Sequence, residues 1–331
     1  MSKLKPVSDL NPASNPIHSF LTRTKLGPRQ GHKALTLWPL VWPEEAEPSG
    51  PASLPLREAL ERGEVQIDEL DEGGSVPQVR VTNRGRLPVL FLFGEEILGA
   101  KQNRISNATF LVPAKSKAVI DVSCVEAGRW GRRSHHGFHR SEAVVSSRLR
   151  RTMVRQVHAS LAEGHGFAAD QGEVWDEIGA RLECSGIDSP TRAWADHRAS
   201  RAPDLAEIER AFHPVERQVG FVAMRGNEVV GLEALGRSAA FASSFQTLLR
   251  AYTIDAVDAE QVLELEARPK GAAQFNAPEP FISALADALV SWSGSLGLGS
   301  DLRVDAAGVS ACALACEGLV HVTAFPAEGV A

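Results

Sequence analysis

The sequence predicts an α+β fold: a mostly antiparallel β-sheet N-terminal part, a helical middle and an α+β C-terminal part. Three observations predict it. Short apolar runs separated by Pro, Gly, Asn and Lys fill the stretch from Ala34 to about Val125, the signature of strands joined by tight turns. Longer amphipathic segments follow between about Ser141 and Phe212. A hairpin pattern, two helical segments and three further strand-like runs then close the chain.

Residues 1–30, punctuated by Pro6, Pro12, Pro16 and Pro28, are expected to form a low-order N-terminal arm. The first twenty residues lack the apolar segment of an export signal. The β-rich part, 31–130, has strand candidates at Leu35 to Val41, Val65 to Leu70, Val76 to Val81, Val89 to Phe93, Ile105 to Val112 and Ala118 to Val125, with one short helix at Leu56 to Arg62. In the helical part, 136–215, the candidates are Ser141 to Leu161, Asp170 to Leu182 and Asp204 to Phe212. Asp170 and Glu173 have the spacing of a capping box. In the last part, 216–331, Arg225-Gly226-Asn227 joins two hairpin strands. Helices are expected at Ala239 to Tyr252 and Pro280 to Trp292, the second with Phe281, Leu285 and Leu289 on one stripe.

The composition bounds the function classes. The chain has 331 residues and a formal charge of −6 from 35 basic and 41 acidic residues, so no global positive excess recommends nucleic acid or a membrane surface as partner. The most apolar run, Val89 to Phe93, is far short of the roughly 20 residues that span a bilayer. Cys124, Cys184, Cys312 and Cys316 form no dense framework and read as thiols of a reducing compartment. A cytoplasmic protein is the expectation.

Chemistry concentrates in two runs. Gly94-Glu95-Glu96-Ile97-Leu98-Gly99-Ala100-Lys101-Gln102-Asn103-Arg104 brings two carboxylates, an ammonium, a guanidinium and two amides together, a mixture able to hold a ribose diol, a carboxamide or a phosphate. Cys124-Val125-Glu126-Ala127-Gly128-Arg129-Trp130 closes a strand and turns at Gly128. Both runs are too polar for a core by composition and adjoin strands of one sheet, so they are expected to converge. Glu95, Glu96 and Glu126 are then the acid/base candidates, since neighbouring carboxylates split their pKa values. Lys101, Gln102, Asn103, Arg104, Arg129 and Trp130 are the ligand-binding candidates. A plain Glu–Arg salt bridge beside a buried Trp130 is the equally simple alternative. Cys124, with no histidine near it in sequence, reads as a small buried residue.

Residues 129–155 carry eight arginines against one acid, Glu142. They suit a phosphate-bearing ligand, or a structural seam facing the acidic segment Asp255 to Glu266. His135, His136 and His139 lie among those arginines, which would repel a metal cation, so no metal site is assigned. No phosphate-binding glycine loop, GxSxG, HExxH or Rossmann fingerprint occurs in the sequence.

On Gly94-Glu95-Glu96, Gly99-Ala100-Lys101-Gln102-Asn103-Arg104, Cys124-Val125-Glu126 and Gly128-Arg129-Trp130, the sequence resembles a bacterial and archaeal family, the ADP-ribosylglycohydrolase- and rhodanese-phosphatase-associated protein domain. Weaker matches are Gln171 with Trp175, Gln218 with Gly220, Arg303, and the region from His321 to Phe325. The resemblance runs from about Leu35 to Phe325 and implies that 31–331 is a single family domain. It also implies association with NAD and ADP-ribose processing, without specifying a reaction or a cofactor. The arginine- and histidine-rich loop after Trp130 has no counterpart in the family pattern and receives no role. Two classes follow: an enzyme acting on ADP-ribose or another phosphate-bearing, NAD-derived nucleotide, or a noncatalytic sensor or interaction module using the same pocket.

Overall fold

The computed structural model describes residues 5–6, 15–43, 48–70, 77–99, 101–129, 138–261 and 274–327. Among them the fold is α+β. A 10-stranded sheet, a 6-stranded sheet and a 3-stranded sheet are antiparallel throughout except where Leu54–Pro55 pairs in parallel with Val89–Phe91.

The 10-stranded sheet buries both faces. Along Val309–Ala315, Val309, Ala311 and Ala313 enter one apolar cluster while Cys312 and Leu314 enter another, the period of two that a strand imposes. The first face is covered by the helices Pro16–Leu21 and Pro278–Asp287, through Ile17, Phe20, Leu21, Phe281 and Leu285. On the other face lie Ser147–Glu163 and Ser238–Gln261, with Leu149, Met153, Phe241, Phe245, Leu248 and Leu249 in the cluster. A third cluster joins the two smaller sheets through Val79, Val81, Phe91, Ile97, Phe110, Ile120 and Val122.

Several expectations need correction. Residues 15–30, read as part of a low-order arm, include a helix capped by Asn15, whose side chain accepts from the Ile17 and His18 amides. Its residues Ile17, Phe20 and Leu21 are buried, and Pro16 opens the helix at a position where its missing N–H costs no hydrogen bond. The expected strand Ile105 to Val112 is two strands in different sheets: Arg104–Ser106 pairs with Ser116–Cys124, and Phe110–Val112 pairs with Val89–Phe91. The chain makes the same change of sheet at Gly94, between Val89–Phe91 and Glu95–Gly99. Gly94 has φ of 76°, and a Cβ there would stand 2.9 Å from the Arg150 side chain; both the turn and the close approach require glycine.

The helical middle begins later than its composition suggests. Phe138–Val144 is a strand paired with Glu95–Gly99, and the helix expected from Ser141 runs over Ser147–Glu163. Ser146 caps that helix by accepting the Leu149 amide. The capping box at Asp170 forms in half: its carboxylate accepts from Gly172 and Glu173, while the Gln156 side chain takes the Asp170 amide and donates to Glu173. The helix expected to reach Trp292 ends at Asp287; Leu289 is 81% exposed, and Trp292 lies in the strand Ser291–Gly294.

Candidate functional site

Four strands side by side carry the site. Phe138–Val144, Glu95–Gly99, Arg104–Ser106 and Ser116–Cys124 are successive neighbours in the 6-stranded sheet, with Ile105 opposite Glu96 and Arg104 opposite both Ile97 and Cys124. The two polar runs therefore lie side by side. They are not the surface that their composition suggests: Glu95, Glu96, Gln102, Asn103, Arg104, Glu126 and Arg129 are all buried, and each makes at least one polar contact within the chain.

Glu96 is fully buried. Its Oε2 accepts from Ser141 Oγ at 2.6 Å and from Arg198 Nη2 at 3.4 Å. Ser141 stands where the pairing of its strand with Glu95–Gly99 shifts register between Arg140 and Val144, and such a bulge re-aims a side chain. Burial raises the Glu96 pKa above the usual carboxyl value, and the Arg198 and Ser141 contacts only partly oppose it. The Glu126 charge adds to the rise, which puts the two carboxyls in electrostatic reach of each other.

Glu126 is displaced the other way. Burial would raise it, but the donors facing it outweigh burial and leave its pKa lowered. Arg129 Nη2 lies 2.7 Å from Oε2, the Asn103 amide donates to the same oxygen at 3.3 Å, and Thr191 Oγ1 donates to Oε1 at 2.8 Å. The backbone holds this arrangement: Glu126 bridges Ala193, the Gly128 amide donates to Thr191 O, and the Trp194 amide donates to Val125 O. Segment 191–198 thus lies over both carboxyls, with Thr191 on Glu126 and Arg198 on Glu96.

The remaining candidates divide. Gln102 donates its Nε2 to Glu126 O at 2.8 Å, and Asn103 Oδ1 accepts from the Gly99 amide and from Arg129, so both belong to the Glu126 side of the site. Lys101 is half-buried in the same connection. Glu95 does not join Glu96, because consecutive strand residues face opposite ways; its Oε2 accepts the Leu92 amide at 2.9 Å, closing the turn at Gly94. Burial pushes its pKa up to about 8, although the Leu92 hydrogen bond lowers it. Arg104 turns to Cys124 Sγ at 3.0 Å and to Glu69 at 3.3 Å. The Cys124 thiol is pushed up to about 11 by burial, as befits a packed residue rather than a nucleophile. Trp130, His135 and His136 lie outside the described residues.

Sequence reasoning missed Ser141, Thr191, Arg198 and Glu69. Their partners are 45, 65, 102 and 35 residues away, and no local pattern marks such pairs. Gln171, noted for its weak family match, clamps Cys124: its Oε1 accepts the Cys124 amide and its Nε2 donates to the Cys124 carbonyl, each at 2.8 Å.

Three arginines of the arginine-rich run pair with carboxylates of the same chain. Arg150 is bidentate to Glu233 at 2.7 and 3.1 Å, Arg148 reaches Glu177 and Arg129 reaches Glu126. Asp255 and Asp258, two of the expected seam partners, pair with Arg181 at 2.7 and 2.8 Å, and the Arg148 backbone amide donates to Asp255. The rest of the acidic segment beyond Gln261 is outside the described residues. Among the described residues no group of His, Cys, Asp and Glu could hold a metal ion, and no helix is long and apolar enough to cross a membrane.

Fold and site together define an α+β protein with a buried pair of glutamates in unlike environments. A family profile, the ARG and Rhodanese-Phosphatase-superfamily-associated Protein domain (ARPP-1), matches residues 23–325, and the chain belongs to that family. Comparison with curated proteins and with solved structures found no significant match in either.

Proposed function

We propose that this protein is a hydrolase of ADP-ribose or a related NAD-derived nucleotide, acting on a glycosidic or ester bond with Glu96 as general acid. The observation that carries the reading is the opposite displacement of two adjacent carboxyls, Glu96 towards the protonated form and Glu126 towards the ionised form. Environments that push two acids apart are how one site holds a proton donor and an anion at neutral pH. Glu96 would give its proton to the leaving group, while Glu126 would stabilise positive charge developing at the attacked carbon and orient water. Arg129, which holds Glu126, and Lys101, half-buried in the connection that carries Gln102 and Asn103, are cations that suit a phosphate-bearing ligand. The family's name, with its ARG association, supports ADP-ribose chemistry as the substrate class.

One observation favours a second reading, a noncatalytic nucleotide sensor: both Glu126 oxygens already accept hydrogen bonds, which suits a fixed charge better than a base. Glu96→Gln separates the two. It keeps volume and hydrogen-bonding capacity and removes ionisation, so an enzyme loses roughly 10²–10⁴-fold in turnover and keeps ligand-induced stabilisation. Calorimetric binding with mass-spectrometric product detection, on both proteins with ADP-ribose, NAD and a nucleotide panel, makes the comparison. Binding without turnover by the unmodified protein establishes the sensor; neither binding nor turnover sinks the nucleotide reading.

A further inference from the structure

The Glu126 side chain is 0% exposed, so a ligand meets its carboxylate only where the chain over it moves aside. We infer that residues 188–192 are a flap, closed on Glu126 by Thr191, whose opening bares that carboxylate to a ligand. The nature of the ligand rests on the reading above; the flap rests on contacts within the chain.

Thr191 closes the flap with two hydrogen bonds. Its Oγ1 donates to Glu126 Oε1 at 2.8 Å, and its main-chain O accepts the Gly128 amide at 2.8 Å. Gly128 shows how closely the flap lies down. Its φ is outside the left-handed region, so its own backbone would take a side chain. The flap excludes one: a Cβ on Gly128 would stand 3.0 Å from Thr191 Cα and 3.3 Å from both Pro190 O and Thr191 C. These are main-chain atoms, which make room only if the segment itself lifts.

Little else holds 188–192 in place. None of its residues is buried, and Pro190 is its one apolar residue. The Arg192 side chain pairs with Glu183 at 3.3 Å in an exposed contact, which contributes little to stability. Arg192 also has φ of 49°, a left-handed backbone that is unfavourable for a residue with a Cβ and that opening releases. Ser189 Oγ donates to Asp196 and accepts the Ala193 amide, ties that run to residues beside the flap and not across the site. Both flanks are anchored, Ile187 packed against the large apolar cluster and Trp194 buried in it. A short segment with few apolar contacts between two anchored ends opens locally, well below the free energy of global unfolding.

Native-state hydrogen exchange on the full chain tests this. The reporter is the Gly128 amide, whose acceptor lies on the flap. The controls are the Val125 amide, which donates to Asn103 O, and the Trp194 amide, which donates to Val125 O behind the flap. Corrected for intrinsic rates, Gly128 should exchange at least about tenfold faster than either control and insensitively to low denaturant, the mark of local opening. Thr191→Val keeps the shape and the main-chain acceptor but loses the bond to Glu126, so it should speed Gly128 exchange by about tenfold and leave both controls unchanged. The association rate of ADP-ribose should rise by the same factor, since binding scales with the open fraction. If Gly128 exchanges only together with the controls and with their denaturant dependence, there is no flap, and this result needs no variant. If ADP-ribose binds at a rate that Thr191→Val leaves unchanged while Gly128 exchange rises, the ligand enters elsewhere; the inference is overturned and the nucleotide reading stands. If Gly128 exchanges by local opening and no nucleotide binds, the flap stands and the nucleotide reading falls.

Discussion

Glu95 and Glu96 are neighbours in sequence and both are shifted upward, yet their consequences differ because they face opposite sides of one strand. Glu95 serves the turn at Gly94, and its effect belongs to stability. Its pKa in the folded chain is about 8 against an ordinary 4.5, so between those values the unfolded chain ionises it and the folded chain holds it neutral. Stability from this group is therefore fully present below about pH 4.5 and falls as pH rises towards 8, at no more than about 1.4 kcal/mol per pH unit. Glu95→Gln should flatten the decline between pH 5 and 8 in denaturant titrations; an unchanged slope would show that Glu95 ionises normally. Glu233 has the reverse sign. The Arg150 and His321 contacts overcome its burial and hold it at about 2, so its contribution is present above pH 4.5 and is lost as pH falls towards 2.

At the scale of elements, the helix Gln171–Cys184 begins on the Asp170 cap, and Asp170→Ala should lower stability by about 1 kcal/mol, read as a shift of the denaturation midpoint with unchanged slope. That cap was visible in sequence because it is local. So was the strand Leu35–Val41, whose bounds the apolar run marks, and the hairpin around Arg225-Gly226-Asn227, formed by Gln218–Arg225 and Glu228–Leu235. Glu95–Gly99 and Phe138–Val144 were not legible as strands. In the first of them Glu95 accepts the Leu92 amide and Glu96 accepts from Ser141 and Arg198, and hydrophobic periodicity cannot register a buried residue whose partner is a hundred positions away. The convergence of the two polar runs could be anticipated because each adjoins a strand. The segment 191–198 that completes the site could not, since nothing in its own sequence points to Glu126 or Glu96.

Across the molecule, one buried polar network ties helix, large sheet and smaller sheets together. Arg150 of Ser147–Glu163 holds Glu233 of Glu228–Leu235 and donates to Thr323 at 2.9 Å. Tyr252 donates to Glu233 at 2.7 Å, and His321, 3.3 Å from Glu233, lies 2.7 Å from Thr109 between the two smaller sheets' strands. Removing one partner of a buried pair leaves the other charge stranded. Arg150→Met should therefore lower stability by about 3–5 kcal/mol, and adding Glu233→Leu should restore part of that loss; additive losses in the double variant would contradict the pairing. Through Gly94, which packs on Arg150, this network also braces the turn that sets the strand carrying Glu96. The central claim is that this frame shifts Glu96 towards the protonated form and Glu126 towards the ionised form, and carboxyl NMR of the full chain labelled with δ-13C glutamate tests it most directly. The expected result is that the resonance removed by Glu96→Gln titrates above the ordinary glutamate value and the resonance removed by Glu126→Gln titrates below it. If the resonances removed by these two substitutions both titrate near pH 4.5, the two carboxyls are alike and the account is wrong.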